Sequence, residues 1–455
     1  MKILLFIAIF MLAGCSGAEK AATETTAQTF TVSVSGMKQF CPYTLEEESA
    51  RQAMGFVYEP LYYQSFDGEC IPVLASKTVQ KGKYLDIYIK DNVLWHDYSP
   101  LTSEDVAYSI NLAAGGSTSY SVPIIKNAES ISPRAVRVLF EYEVKSPERY
   151  LNFPIIKNNF STTASIPLGT GSMCYDERVS YDTFSFVPFD KYHGKAVGNK
   201  RLLIINAGQK ERERSLFRAG ATDVLYIEHD SLNSVTVPAH TNVIKIPTKH
   251  IIIIGYNCIS LPESVRRAIF YAFDSQASAE QVLGESAMIF KRNDRPNIHR
   301  AHEEMKAGGF VLKGGAYCKI SIAVQEGEHS QALGKELTSR LERFGIQCTE
   351  HVVENAKEDF KKGIYDMIIT PWYTDKGLLE LVERGNILLY ENTKLDSLVH
   401  DGGDKLEIKN IIHRQMPFLP VAVLYDAVAV KESAADICKP VDCFAYYGIF
   451  NGEEI

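Results

Sequence analysis

YCKISIAVQEGEHSQALGKELTSRLERFGIQCTEHVVENAKEDFKKGIYDMIIT, residues 317–370, is the stretch whose pattern decides the fold. Residues 317–324 alternate apolar and polar side chains as a strand does, and residues 329–345 carry apolar positions at helical spacing up to a stop at Gly345. A second strand over 347–353, a short helix over 356–363 and a third strand over 365–370 follow. Strands and helices that alternate at this length predict βαβ units on a mainly parallel sheet. A further helix at 376–385 and a strand at NILLY, residues 386–390, extend the series.

Toward the N-terminus the same alternation continues as strand RLLIIN (201–206), helix QKERERSLFRAG (209–220), strand DVLYIE (223–228) and the apolar strand IIIIGYN (251–257). Continuous apolar runs of this kind indicate strands covered on both faces. Helix PESVRRAIFYAFD (262–274) opens with a proline in its first turn, and MPFLPVAVLYDAVAV (416–430) reads as a return crossing toward a C-terminal piece. Residues 30–165 mix strands such as YLDIYIK (84–90) and VRVLFEY (136–142) with a helix after Thr102, where Asp105 completes a variant capping box. No internal repeat is present.

The chain has 455 residues, 45% of them hydrophobic, which is enough for two or three domains with large cores. Lys+Arg 48 against Asp+Glu 56 gives a net charge of −8, so the basic footprint of a nucleic-acid binder is missing. Lys2 precedes ILLFIAIFMLAG (3–14), a run too short to span a bilayer and of the length of a signal-peptide core. The run ends at Cys15 in Leu-Ala-Gly-Cys, similar to the lipobox of bacterial lipoproteins, in which the cysteine takes a diacylglycerol. Residues 15–29 then read as the lipidated cysteine and a flexible tether before the first strand, TFTVSVS (29–35). Two or three lipid chains anchor a protein stably to a membrane, where one binds only reversibly. The expected location is therefore extracytoplasmic, on the outer face of the cytoplasmic membrane or in the periplasm. Eight cysteines remain; their spacings do not match a zinc site, and either disulfides or buried thiols are compatible with them.

Several segments, in order, resemble the extracellular solute-binding proteins of family 5, which deliver peptides, nickel or other small solutes to ABC importers. FVYEPLYYQSFDGECIPVLAS (56–76) is similar to the family's Glu-Pro-Leu strand and Asp-Gly turn. LWHDYSPLTSEDVAYSI (94–110) resembles its aromatic, His-Asp-Gly and Thr-x-x-Asp-Val hallmark, with Tyr98 in place of the glycine. IPLGTGSM (166–173) keeps Gly169, Thr170 and Gly171; FRAGATDVL keeps Gly220 and Asp223; SVRRAIFYAFD keeps Val265, Arg266, Ala268 and Asp274.

The resemblance implies an α/β fold: a bilobal periplasmic-binding-protein-like clamp of class II type with an extra subdomain, its lobes joined by two hinge strands. Carried over, residues 1–14 are the signal peptide, 30–58 with 169–256 and 425–455 form lobe I, 59–168 its extra subdomain, and 257–424 lobe II. In peptide-binding members a carboxylate in a Trp-x-x-Asp segment grips the peptide's α-amino group. Trp372-Tyr373-Thr374-Asp375 fits that spacing, with Asp375 as amine anchor and Trp372 and Tyr373 as wall. A carboxylate facing an ammonium makes a charge-assisted hydrogen bond about twice as strong as a neutral one. From the residues alone, Trp372 as a core plug and Asp375 as a helix cap account for the same segment. Pro371, where the family commonly has glycine, removes one main-chain donor.

The resemblance thus implies a monomeric, lipid-anchored binding component for oligopeptides, without catalysis, cofactor or metal, working with permease and ATPase subunits. A nickel chelate or other small solute is the alternative ligand, and a surface sensor or adhesin the alternative role. A hydrolase is the third option, for which no nucleophile motif is present. His299 and His302 have metal-like spacing but lie in a polar, charged stretch that reads as solvated surface. Arg266 and Asp274 are expected to organise the 262–274 helix, and Trp95 to fill a core.

Overall fold

The computed structural model describes residues 28–65, 69–116, 118–158, 160, 161, 163, 165–195, 200–292, 294–373, 378–382, 386–400, 404–432, 438–441 and 444–446. The leader, Cys15, nearly all of the tether, the Asp67-Gly68 turn and Cys443 lie outside the described residues.

Two strands carry the architecture. Thr241–Tyr256 and Phe418–Lys431 are long, antiparallel and hydrogen-bonded to each other along most of their length. An eleven-stranded sheet is built around them. On one side come Met367–Tyr373, Cys318–Gln325 and Ile346–Val353; on the other come Val224–Ile227, Gln28–Val34, Lys200–Asn206, Thr183–Pro188 and Met173–Arg178. The outermost two pair antiparallel, as a β-meander; the short strand Ala287–Ile289 pairs with Phe418–Lys431 from outside this order.

The apolar runs explain why the central strands form. Ile252 and Ile254 point into one core with Leu333, Leu337 and Leu341 of the helix Glu328–Phe344, while Ile253 points into another with Ile368 and Phe360. Period-2 alternation here separates two buried faces rather than a buried and a wet one, so polar residues are absent from the run. Between Pro247 and Ile251 the register slips, and a second slip follows between Ile252 and Ile253. The first irregularity lies where the chain passes from one set of neighbours to the other.

Outside this sheet, Ala75–Lys81, Tyr84–Ile89, Ala135–Phe140 and Ile125–Ser132 make a four-stranded antiparallel sheet covered by the helix Ser103–Ala114. The capping box is present in full: Asp105 N donates to Thr102 Oγ1 at 3.3 Å, and Thr102 N to Asp105 Oδ2 at 2.9 Å. Trp95 is fully buried, and its Nε1 donates to that same Asp105 oxygen at 3.3 Å. His96 clamps the next motif, since its N–H donates to Gly169 O (2.9 Å) and its Nε2 to Gly171 O (2.9 Å). Tyr98 sits at φ 65°, a left-handed position that favours the glycine it replaces.

Arg266 acts at the expected helix, whereas Asp274 serves the following one. Arg266 is buried and donates to the main-chain carbonyls of Gln415 and Leu261, and Asp274 caps the helix Ser275–Leu283 by accepting from Ala277 N. Asp223 accepts from Thr31 N at 2.8 Å and from Lys431 Nζ at 2.8 Å, tying the first strand to the end of the second crossing strand. The seven described cysteines are free thiols.

Three expectations fail. The sheet is mixed rather than mainly parallel, because the crossing strands pair antiparallel with both of their neighbours, and the helix expected at 376–385 is, among the described residues, only the 3-10 turn Leu378–Leu381. NILLY (386–390) is not a strand but a buried loop, held by Asn386, whose Oδ1 accepts from Leu388 N and Tyr390 N. Leu388 settles over Gly255, where a Cβ would meet Leu388 Cδ2 at 2.7 Å. An apolar run of four, residues 387–390, reads alike as strand or buried loop, and the Asn386 side chain takes the main-chain bonds that a neighbouring strand would have made.

Gly169 and Gly171 run against the main chain of residues 56–57. A Cβ on Gly169 would overlap the Val57 carbonyl, and one on Gly171 would come within 2.6 Å of Phe56 O. Gly169→Ala is expected to cost about 1–3 kcal/mol in urea unfolding, the range for overpacking a rigid site. An unchanged midpoint would show that this approach is not constrained.

Candidate ligand-binding cleft

Strand direction places the cleft. Met367–Tyr373 runs antiparallel to Thr241–Tyr256 with Tyr373 opposite His250, so its carboxyl end stops near the middle of that crossing strand. From the other side, Val224–Ile227 runs antiparallel to Phe418–Lys431 and stops with Ile227 opposite Ala427. The carboxyl ends of parallel strands from both lobes therefore face each other across the crossing, where open α/β sheets place their ligands.

A polar cluster occupies this junction. Asp426, 7% exposed and the one carboxylate of the second crossing strand, accepts from Tyr226 Oη (2.5 Å), from His229 N (2.7 Å) and from His229 Nδ1 (3.0 Å). The His229 ring lies 4.6 Å from that of His250, and the His250 ring 5.4 Å from that of Tyr373. From the second lobe, His329 in the first turn of the helix Glu328–Phe344 donates its Nε2–H to the His229 carbonyl at 2.7 Å. Beside the cluster Lys210 pairs with Glu228 at 2.6 Å.

The imidazoles differ in charge state because their surroundings differ. Burial, together with the charge of His229, holds His250 down to about 4, so it is neutral at pH 7. Burial also lowers His329. In His229 burial acts the same way, but the hydrogen bond and charge of Asp426 outweigh it and raise the pKa. His250 Nδ1 is buried with no hydrogen-bond partner among the described residues.

The sequence-predicted residues divide. Trp372 and Tyr373, consecutive in one strand, point to opposite faces. Trp372 packs on the core that contains Ile253 and Ile368, with Lys357 Nζ 5.1 Å from its ring centre. Tyr373 is half exposed and joins the histidine cluster. Asp375 lies outside the described residues. Pro371 sits beyond Ile369, the last residue of its strand paired with Cys318–Gln325, so its missing N–H falls where the strand has one neighbour fewer. His299 is exposed beside Glu303, and His302 bonds Tyr317 Oη at 2.6 Å. Among the described residues no group of three or more His, Cys, Asp or Glu is arranged to hold a metal.

His229, His250, His329 and Asp426 were not singled out by sequence reasoning. Their signal was present in part. Asp426 is the one carboxylate in the apolar run 416–430, and a carboxylate there must have its donors supplied by neighbours. His229 and His329 each follow a predicted strand within five residues, but nothing in the spacing brings two such distant ends together.

Tyr226→Phe removes one buried donor from a carboxylate, and a hydrogen bond to a charged group contributes about 1.5–3 kcal/mol. Thermal or urea unfolding should register a loss of that order; a loss below about 0.5 kcal/mol would mean that Asp426 does not depend on the phenol.

The sequence matches the family described as bacterial extracellular solute-binding proteins, family 5, middle, over residues 69–378, more than half of the chain. No curated protein matches the chain by sequence. Solved structures share the fold at low identity. The ABC transporter substrate binding protein CtaP from Listeria monocytogenes has a TM-score of 0.74 at 17% identity, covering 93% of this chain and 99% of its own. NikA from Brucella suis, in complex with Fe(III)-EDTA, has 0.72 at 17%, covering 92% and 98%. The oligopeptide-binding protein AppA from Bacillus subtilis, in complex with a nonapeptide, has 0.63 at 16%, covering 93% and 99%. With a bilobal α/β fold on two crossing strands and a family match spanning both sides of the crossing, the chain belongs to the bacterial extracellular solute-binding proteins of family 5.

Proposed function

We propose that this chain is the lipid-anchored binding component of an ABC importer and that it captures oligopeptides in the interlobe cleft. The observation that carries the reading is the convergence of strand ends from both lobes on one junction, with Tyr373 at its edge and Asp375 two residues further along the chain. An extended peptide entering there meets main-chain donors and acceptors at the ends of strands, which gives affinity largely independent of side chains. Closing of the lobes then removes water and strengthens each polar contact. Asp375 is assigned the peptide's ammonium and Tyr373 the wall beside it; Trp372, packed into a core face, fixes the direction of the strand that presents them.

Export and anchoring rest on the sequence. The apolar run 3–14 and Cys15 support a cleaved leader and a lipidated N-terminus, and residues 16–29 give the binding body a tether. Among the described residues no helix is long and apolar enough to cross a membrane. Radiolabelled palmitate should be incorporated into the full-length chain and lost in Cys15→Ala; equal labelling of the two would contradict the anchor.

The ligand assignment is tested by denaturing the purified chain and identifying the released small molecules by mass spectrometry, where a mixture of short peptides is expected. A metal chelate without peptides would instead favour the type of ligand with which NikA was solved. With a bound peptide in hand, Asp375→Asn should weaken affinity about 30-fold, equivalent to roughly 2 kcal/mol. An unchanged affinity would remove Asp375 as the amine anchor while leaving the peptide assignment to the mass spectrum.

A further inference from the structure

The histidine cluster contains a contact that belongs neither to the crossing strands nor to either core. His329 stands on a helix whose apolar face packs on the second lobe through Leu333, Leu337 and Leu341. His229 stands on the short turn His229–Ser231 of the first lobe, next to Leu232, which packs with Phe217 and Leu225. Between them runs a single hydrogen bond of 2.7 Å, and because a carbonyl only accepts, His329 Nε2 is the donor. The residue at the receiving end is fixed, since both its main-chain N–H and its Nδ1 are held by Asp426. Asp426 itself belongs to the second crossing strand, three residues beyond Val423, which pairs with Ile251 just past the register slip.

We propose that His329, His229 and Asp426 form an interlobe latch, in which closing of the clamp seats the His329 imidazole on a main-chain carbonyl whose position is set by the hinge strand. The inference concerns closing and holds whichever solute the cleft takes. A hydrogen bond of this length tolerates a few tenths of an ångström of change, so opening of the lobes breaks it. His329 is 4% exposed; once released, its imidazole is hydrated, and the His229 carbonyl is free to bond water or solute.

The latch is also sensitive to acid. His329 faces His229, Glu328 and Asp230; His250 faces His229, Asp426, Lys357 and Asp230; His229 faces Asp426, Asp230 and Glu228. Burial in the closed arrangement holds His329 below the ordinary histidine value, so as pH falls below about 6.5 the open form, in which its imidazole is hydrated, takes up protons more readily and is favoured. His229 owes its raised pKa to Asp426, a contact that opening leaves in place, so its titration does not bias one form over the other. Closure is therefore expected to weaken as pH falls below the ordinary histidine value of about 6.5.

Small-angle X-ray scattering of the full chain without added solute reads the closed fraction directly. At pH 7 the wild type should be more compact than His329→Ala, and His329→Gln, which keeps an N–H donor, should stay close to the wild type. Lowering the pH to 4.5 should expand the wild type and leave His329→Ala nearly unchanged, while circular dichroism confirms that each remains folded. Equal radii of gyration for the wild type, Ala and Gln chains at pH 7 would overturn the latch, as would an acid expansion in His329→Ala as large as in the wild type. Should the Ala chain not fold, an expanded Gln chain at pH 7 overturns the proposal by itself.

Discussion

The antiparallel pairing of Thr241–Tyr256 with Phe418–Lys431 is the constraint on which the rest of the molecule depends. These two strands are the centre of the eleven-stranded sheet, and each lobe is assembled by adding strands to one of their two ends. A sheet built in this way has its two sets of parallel strands pointing toward each other, since each set stops where the crossing strands change neighbours. The cleft is thus a consequence of topology before any side chain is considered. The register slips between Pro247 and Ile253 weaken the ladder locally at that place, which suits a point of bending.

Much of this was legible in the sequence, for a specific physical reason. Strands covered on both faces must be apolar throughout, so IIIIGY and FLPVAVLYDAVAV announce themselves, and helices between them show a 3.6-residue period. Gly169, Gly171, Thr102 and Asp105 could be read from motif because each answers a local backbone demand: close approach of two chains, or orphan N–H groups at a helix start. The segment 386–390 shows where local reading stops. Its apolar content requires burial, but whether a strand or a loop is buried is decided by Asn386 and by the hollow over Gly255, which belong to tertiary structure.

The cleft was less legible for a related reason. Tyr373 reaches it and Trp372 does not, although they are adjacent, because side chains of a strand alternate and only the sheet's orientation says which face is wet. His229, His250, His329 and Asp426 come from four separate segments, and their meeting depends on two strand ends and a helix start being brought to one junction. Buried polar groups in such a place raise the demand for accurate geometry, since each must find its partner or remain unsatisfied. Asp426 meets that demand with three donors, and in doing so it connects the first lobe's turn to the hinge strand.

The central claim is that solute is held between the lobes, at facing strand ends. Hydrogen–deuterium exchange of the full-length chain, with and without a mixture of short peptides, tests it most directly. New protection is expected together at residues 35–36, 206–209 and 228–231 of the first lobe and at 326–330 and 372–373 of the second, with the four-stranded sheet unchanged. Protection confined to one lobe, or centred on the four-stranded sheet at residues 75–140, would contradict the account.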